Sequence, residues 1–211
     1  MISMEVSFVR SRRKTLSFTV DREGRVVVRM PYGISKARAV DFLGLHRDWV
    51  ARQIALRSKR MDLSDGAEIS LFGERLIFAC GREGRKGGVL YLPEEGRESA
   101  LANYTIRLAR NFMRKLTEEI AQKYGFCFSG VKITRARGRW GSCSGKGNIS
   151  YTFRIAFLPL PVIRAVAVHE LCHTRHMNHS ASFWREVERI VPDYALVRRE
   201  LKKYEFLMNS F

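Results

Sequence analysis

The sequence predicts an α+β protein in which a β-rich N-terminal part leads into a helical domain. Three observations carry that expectation. Leu16, Phe18 and Val20, then Val26, Val28 and Met30, alternate with polar neighbours across the turn Asp21-Arg22-Glu23-Gly24, the pattern of a β-hairpin. From Ser99 to Tyr124, Leu101, Tyr104, Leu108, Phe112, Leu116 and Ile120 recur at three- and four-residue steps, the pattern of an amphipathic helix. Beyond Pro159 and Pro161 the chain reads as helices separated by Pro192.

The elements follow in order. After the hairpin, Ser35 is a candidate N-cap for one helix carrying Val40, Leu43, Trp49, Val50 and Ile54. Short strands are predicted at Glu68–Leu71, Arg75–Ala79 and Val89–Leu92, divided by Gly73 and by the Gly- and Arg-rich run 81–88. Gly125 is a natural stop for the long helix. Two strands, Val131–Thr134 and Ile149–Phe153, flank a basic, Gly-rich connection. Helices then fit Val162 past His173, Ala181–Ile190 and Tyr194–Met208. The boundary between the parts is placed near Pro93–Ser99, giving a β-rich domain with one helix over 1–95 and a helical domain over 96–211.

Composition narrows the class. Among 211 residues, 45% are apolar and 13 are Phe, which excludes a disordered chain. The longest apolar stretch, around Ile155–Ile163, is interrupted by two prolines and is too short for a membrane span of ~20 residues. The start, MISMEVSFVRSRRK, has no apolar h-region. These features predict a soluble cytoplasmic protein without a membrane partner. Cys80, Cys127, Cys143 and Cys172 form no C-x-x-C pair, so reduced thiols are expected rather than a disulfide framework or a zinc ribbon.

The sharpest chemical signal is His169-Glu170-Leu171-Cys172-His173, an H-E-x-x-H pattern. Residues four apart share a helix face, so both imidazoles can address one ion. Glu170 beside them can take a proton from water activated by that ion. Zinc suits such a site, and catalytic zinc usually has three protein ligands. On a straight helix His176 would sit ~10 Å from His169 along the axis, too far to share an ion. The chain must therefore bend after His173, and Asn178 can help it turn. A bend would return His179, whose separation from His173 matches H-E-x-x-H-x-x-G-x-x-H. Glu186 or Glu188 of the next helix is the competing third ligand. Arg139, His176 and Tyr194 are candidate oxyanion stabilisers. Cys172 lies on another helix face from the two histidines and is expected to pack.

Charge supplies the second signal. The chain holds 38 Lys and Arg against 21 Asp and Glu, a formal net charge of +17. From Ala121 to Val168 there is no acid, while eight Lys and Arg occur, so the H-E-x-x-H centre should sit in positive potential. If ITRARGRWGSC is extended, Arg135, Arg137 and Arg139 share one face, and Trp140 offers a stacking surface. These four are candidate substrate-binding residues. GSCSGKG is too short for a phosphate loop and lacks its Ser or Thr. Ser142 and Ser144 have no base partner in sequence, and His46 reads as a helix-surface residue.

RWGSCSGKGNISYTFRIAFLPLPVIRAVAVHELCHTRHMNHSASFW resembles the signature of the YgjP-like family of zinc metallopeptidases, or metal-dependent hydrolases. VRSRRKTLSFTVDREGRVVVRMP, FLGLHRDWV and VPDY extend the resemblance over most of the chain. It implies a zincin-like, minigluzincin-type catalytic domain, distantly similar to SprT-like proteases that act on DNA-bound proteins. By that resemblance His169, His173 and His179 hold Zn²⁺ and Glu170 is the catalytic base.

The leading expectation is a zinc-dependent hydrolase acting on protein or peptide. Two readings compete with it. One is a metal-dependent phosphohydrolase whose arginines clamp a nucleotide or another anionic substrate. The other is a basic nucleic-acid-binding module with a structural metal, whose binding would weaken steeply with salt.

Overall fold

A computed structural model of the chain describes residues 5–21 and 24–210. The fold is α+β, with sheets preceding most of the helices. It divides into two compact units, residues up to Arg60 and Met61–Asn209. The division thus falls after Arg60 rather than near residue 95, because the strands between those points share a core with the long helix.

The first unit contains β1 (Val6–Ser11), β2 (Ser17–Val20) and β3 (Val26–Pro31). Their order is β1-β3-β2. The expected hairpin is present, with Phe18 opposite Val28, although Arg22 and Glu23 of its turn lie outside the described residues. β1 adds a parallel strand beside β3, a long-range pairing that no local alternation announced. Val26, Val28 and Met30 bury one face against Ala39, Leu43 and Val50. Ser35 caps α1 (Lys36–Leu45) by accepting the Arg38 amide N–H. The single helix predicted through Ile54 is broken at His46, whose φ of −112° is not helical, and resumes as α2 (Arg47–Ser58). Gly44, a poor helix former, sits just before the break.

The second unit opens with β4 (Glu68–Leu71), β5 (Glu74–Cys80), β6 (Gly84–Lys86) and β7 (Val89–Leu92). They form a sheet of order β4-β5-β7-β6. Ile69, Leu71, Leu76, Phe78, Leu90 and Leu92 turn alternate side chains into the core. α3 (Arg97–Tyr124) ends at Gly125, whose φ of 71° supplies the left-handed cap that a side chain would resist. Its buried stripe is Leu101, Ala102, Thr105, Ala109, Met113, Thr117 and Ile120, while Leu108 is exposed. The helix is thus rotated from the expected stripe, because small residues let its backbone approach the core closely.

β8 (Gly130–Thr134), β9 (Gly141–Cys143) and β10 (Asn148–Thr152) form a second sheet of order β8-β10-β9. β10 runs parallel to β8 and antiparallel to β9. Ile149 and Tyr151 are buried on one face, and the Tyr151 hydroxyl lies 3.2 Å from that of Thr117 on α3. A buried 3₁₀ turn, Phe153–Phe157, leads into α4 (Leu160–Cys172). α5 (Ala181–Ile190) and α6 (Tyr194–Lys203) follow. The last predicted helix stops short of Met208 and continues as a 3₁₀ turn over Glu205–Met208. Among the described residues no helix is long and apolar enough to cross a membrane.

Candidate metal centre

α4 starts where Pro159 and Pro161 allow only a helix beginning. Val162, Ile163, Ala165, Val166, Ala167, Val168, Leu171 and Cys172 are all buried, so the helix is held on nearly every side. It brings His169 and His173 to one face, with their Nε2 atoms 3.2 Å apart. The regular helix ends at His173, and the Thr174, Arg175 and His176 amides bond back to carbonyls of Leu171 and Cys172. The chain then reverses until Ser180 caps α5 by accepting the Phe183 N–H. This reversal returns His179 with its Nε2 3.2 Å from that of His169. One nitrogen from each of the three imidazoles lies within 4.8 Å of the others.

Aromatic side chains of α5 and α6 seat the cluster. His173 stacks on Phe183 at 4.5 Å, and His179 on Trp184 at 5.4 Å between ring centres. Tyr194 lies within 13° of parallel to His169 and places its hydroxyl 2.8 Å from Nδ1. The Nδ1 of His173 faces the His176 carbonyl at 3.0 Å. A carbonyl only accepts, so that Nδ1 carries the proton and leaves the Nε2 lone pair pointing inward. Outer partners of this kind orient imidazoles that bind metals.

Electrostatics keeps the nitrogens free. Burial, then the neighbouring His173 and His179 rings and Arg198, pull the His169 pKa down to about 3. Burial also lowers that of His173, against the opposing hydrogen bond to the His176 carbonyl. Neutral imidazoles are the metal-binding form. Three converging imidazole nitrogens fit a divalent transition metal.

Glu170 is 5% exposed. Burial raises its pKa to about 8, with the positive charge of Arg139 opposing the rise. Its carboxylate packs on Gly141 of β9, and no hydrogen bond reaches it among the described residues. A Cβ at Gly141 would stand 2.6 Å from Glu170 Cγ and Oε1, so the strand can approach this closely only as glycine.

The other predicted residues divide. Glu186 turns away from the histidine cluster to His176, at 3.0 Å, and to Arg175, while Glu188 is exposed. Arg175 also donates to the Gly125 carbonyl, tying the turn to the end of α3. The alternation of Arg135, Arg137 and Arg139 is not realised, because β8 ends at Thr134 and bends follow. Arg135 binds the Asn103 side chain at 2.7 Å, and Arg137 is exposed. Trp140 packs against the core. Only Arg139 of the four lines the groove beside Glu170. Cys172 is fully buried, as its helix face predicts.

Sequence reasoning assigned no role to Gly141, Phe183 or Trp184, and listed Tyr194 for another one. The only available signal was that Gly141 falls within RWGSC, Phe183 and Trp184 within NHSASFW, and Tyr194 within VPDY.

The model of the YgjP-like metallopeptidase domain matches residues 14–204. A solved structure, the metallopeptidase zymogen of Pyrococcus abyssi abylysin, is 28% identical; the match covers 38% of this chain and 80% of that one, with a TM-score of 0.36. No curated protein matches. Nothing in these likenesses supports a nucleotide or nucleic-acid ligand; a metallopeptidase domain points to protein or peptide. With a match over most of its length, the chain belongs to the YgjP-like metallopeptidase family and is a metal-dependent hydrolase of the peptidase class.

Proposed function

We propose that the protein is a zinc peptidase in which His169, His173 and His179 hold the ion and Glu170 is the general base. The observation that supports this reading most directly is the convergence of three inward Nε2 atoms beside a buried carboxylate. Zinc suits a site of imidazoles alone with room for a further ligand. When bound, the ion supplies Lewis acidity, polarising the scissile carbonyl and making water acidic enough to ionise near neutral pH.

The chain's own groups do the rest. β9 is an edge strand, so the backbone of Gly141–Cys143 can pair with an extended peptide. Gly141 lets that peptide lie close to Glu170. Glu170 accepts a proton from the attacking water at its carboxylate and returns it to the departing amine nitrogen. Tyr194 and the His176 carbonyl hold His169 and His173 in register. Phe183 and Trp184 stack on His173 and His179 and fix the planes of those rings.

Metal content and turnover of an unfolded protein, measured on one preparation, test the reading. Glu170→Gln should keep stoichiometric metal and lose ~10²–10⁴ in rate, the weight of a positioned base. Undiminished turnover in that variant, or failure of the wild type to bind metal, would overturn it.

A further inference from the structure

The outer face of the β8-β10-β9 sheet carries a groove of about 650 Å³. Strand parity explains its chemistry. Ser150 pairs with Lys132 on one side and Ser142 on the other, so these three form a row across the face opposite the core. Thr134 and Thr152 form the next pair on that face. Arg139 joins them from the connection before β9, and no carboxylate lines the groove.

Its polar groups are not all spent. Thr152 donates to the Ala136 carbonyl, and Thr134 lies 3.3 Å from the Tyr151 carbonyl. The hydroxyls of Ser142 and Ser150 make no hydrogen bond among the described residues, and neither Lys132 nor Arg139 forms an ion pair there. Two cations and two free hydroxyls thus face one groove. The groove also adjoins the candidate centre: Gly141 lines it and touches Glu170.

We infer that this groove binds a carboxylate of the peptide substrate, and so selects acidic peptides. The inference rests on the peptidase reading for its geometry. A peptide paired with β9 directs the residue opposite Ser142 to the same face as Ser142, and its neighbour toward Glu170. The carboxylate therefore belongs to a residue close to the scissile bond, supplied by an Asp or Glu side chain or by the peptide's own C-terminus. Lys132 gives the point charge, Arg139 the planar fork, and Ser142 and Ser150 the neutral donors.

The test pairs peptides that differ only by Glu→Gln near the cleavage site, each with a free or an amidated C-terminus. Their affinities are measured by fluorescence anisotropy on Glu170→Gln protein, and their kcat/KM on wild type. An exposed ion pair contributes up to about fivefold, so two cations should favour the acidic peptide by up to about 25-fold. Lys132→Gln should shrink that ratio severalfold while leaving the fold intact, since Lys132 is exposed. Lys132→Glu should shrink it further, and added salt should erase it. Loss on Glu→Gln identifies a side-chain carboxylate, and loss on amidation identifies the C-terminus. Equal binding of all four peptides, or a preference that survives Lys132→Gln combined with Arg139→Gln, overturns the inference. Preferential binding without cleavage would sustain the groove and sink the peptidase reading; cleavage without preference would do the reverse.

Discussion

Gly141 lies against the side chain of Glu170 so closely that a Cβ there would stand 2.6 Å from both Cγ and Oε1. The two residues come from an edge strand and a buried helix, neither able to retreat without unpacking its own layer. Any side chain at 141 therefore displaces the carboxylate. Gly141→Ala should cost about 1–3 kcal/mol as overpacking, and lower turnover by about 10²-fold through misplacement of the base. Metal stoichiometry should stay at the wild-type value, because the atoms nearest an added Cβ all belong to Glu170 and not to a histidine. Parallel metal analysis and rate measurement check this, and unchanged turnover would show that Glu170 has no such constraint.

The Tyr194 hydroxyl, 2.8 Å from His169 Nδ1, is the polar partner found for that imidazole. Tyr194→Phe keeps the ring against His169 and deletes only the oxygen. Loss of an outer partner of this kind weakens metal binding by about 10–100-fold. Competition with a chelator measures it directly. Equal affinity in the variant would mean that packing alone orients His169.

The parts of this site that were legible in sequence are those whose geometry is local. The pairing of His169 with His173 follows from the helical period, and the two prolines before α4 mark where that helix begins. The return of His179 depends on a chain reversal. Spacing suggested that reversal, but it is held by distant groups: Glu186 on α5 and the Gly125 carbonyl at the end of α3. β9 was not legible at all, because Gly141-Ser142-Cys143 is too short to show a period and exists as a strand only beside β10. The arginine alternation failed for the converse reason. Its period was clear, yet β8 ends at Thr134, before the arginines begin. In α3 the apolar stripe was read from large residues, whereas the buried line runs through Ala102, Thr105 and Ala109.

His176 and His179 flank the same reversal and should separate sharply. His179 presents its Nε2 to the cluster, whereas His176 presents its own to Glu186 at 3.0 Å. His179→Ala should remove a metal donor and abolish stoichiometric binding at micromolar metal. His176→Ala leaves all three donors in place, and its backbone carbonyl still faces His173. It loses only the link to Glu186, a charge-assisted bond worth about 1.5–3 kcal/mol when fully formed. Metal should bind more weakly but at full stoichiometry, with faster hydrogen exchange over residues 174–179. Equal losses in the two variants would place His176 beside His179 among the donors, against its bond to Glu186.

Arg154 gives the strongest stability prediction, because it is a charged side chain only 1% exposed. Its Nε donates to the Leu207 carbonyl at 2.9 Å, and Nη1 lies 3.4 Å from the carbonyls of Arg135 and Ala136. The guanidinium also sits 4.5 Å from the centre of the Phe153 ring. One planar group thus ties the chain after α6 to the segment leaving β8. Arg154→Ala removes the Leu207 carbonyl's donor, leaves the Ala136 carbonyl with the Thr152 hydroxyl alone, and opens a cavity the size of the side chain, which costs about 3–5 kcal/mol. In a unit of this size that lowers the midpoint of thermal unfolding by about 10 °C or more. Arg154→Lys should recover little, since a single ammonium cannot span carbonyls on two segments and loses the ring contact. Thermal unfolding of metal-free protein isolates the effect from the histidine cluster, and a shift below about 2 °C for Arg154→Ala would refute the tie.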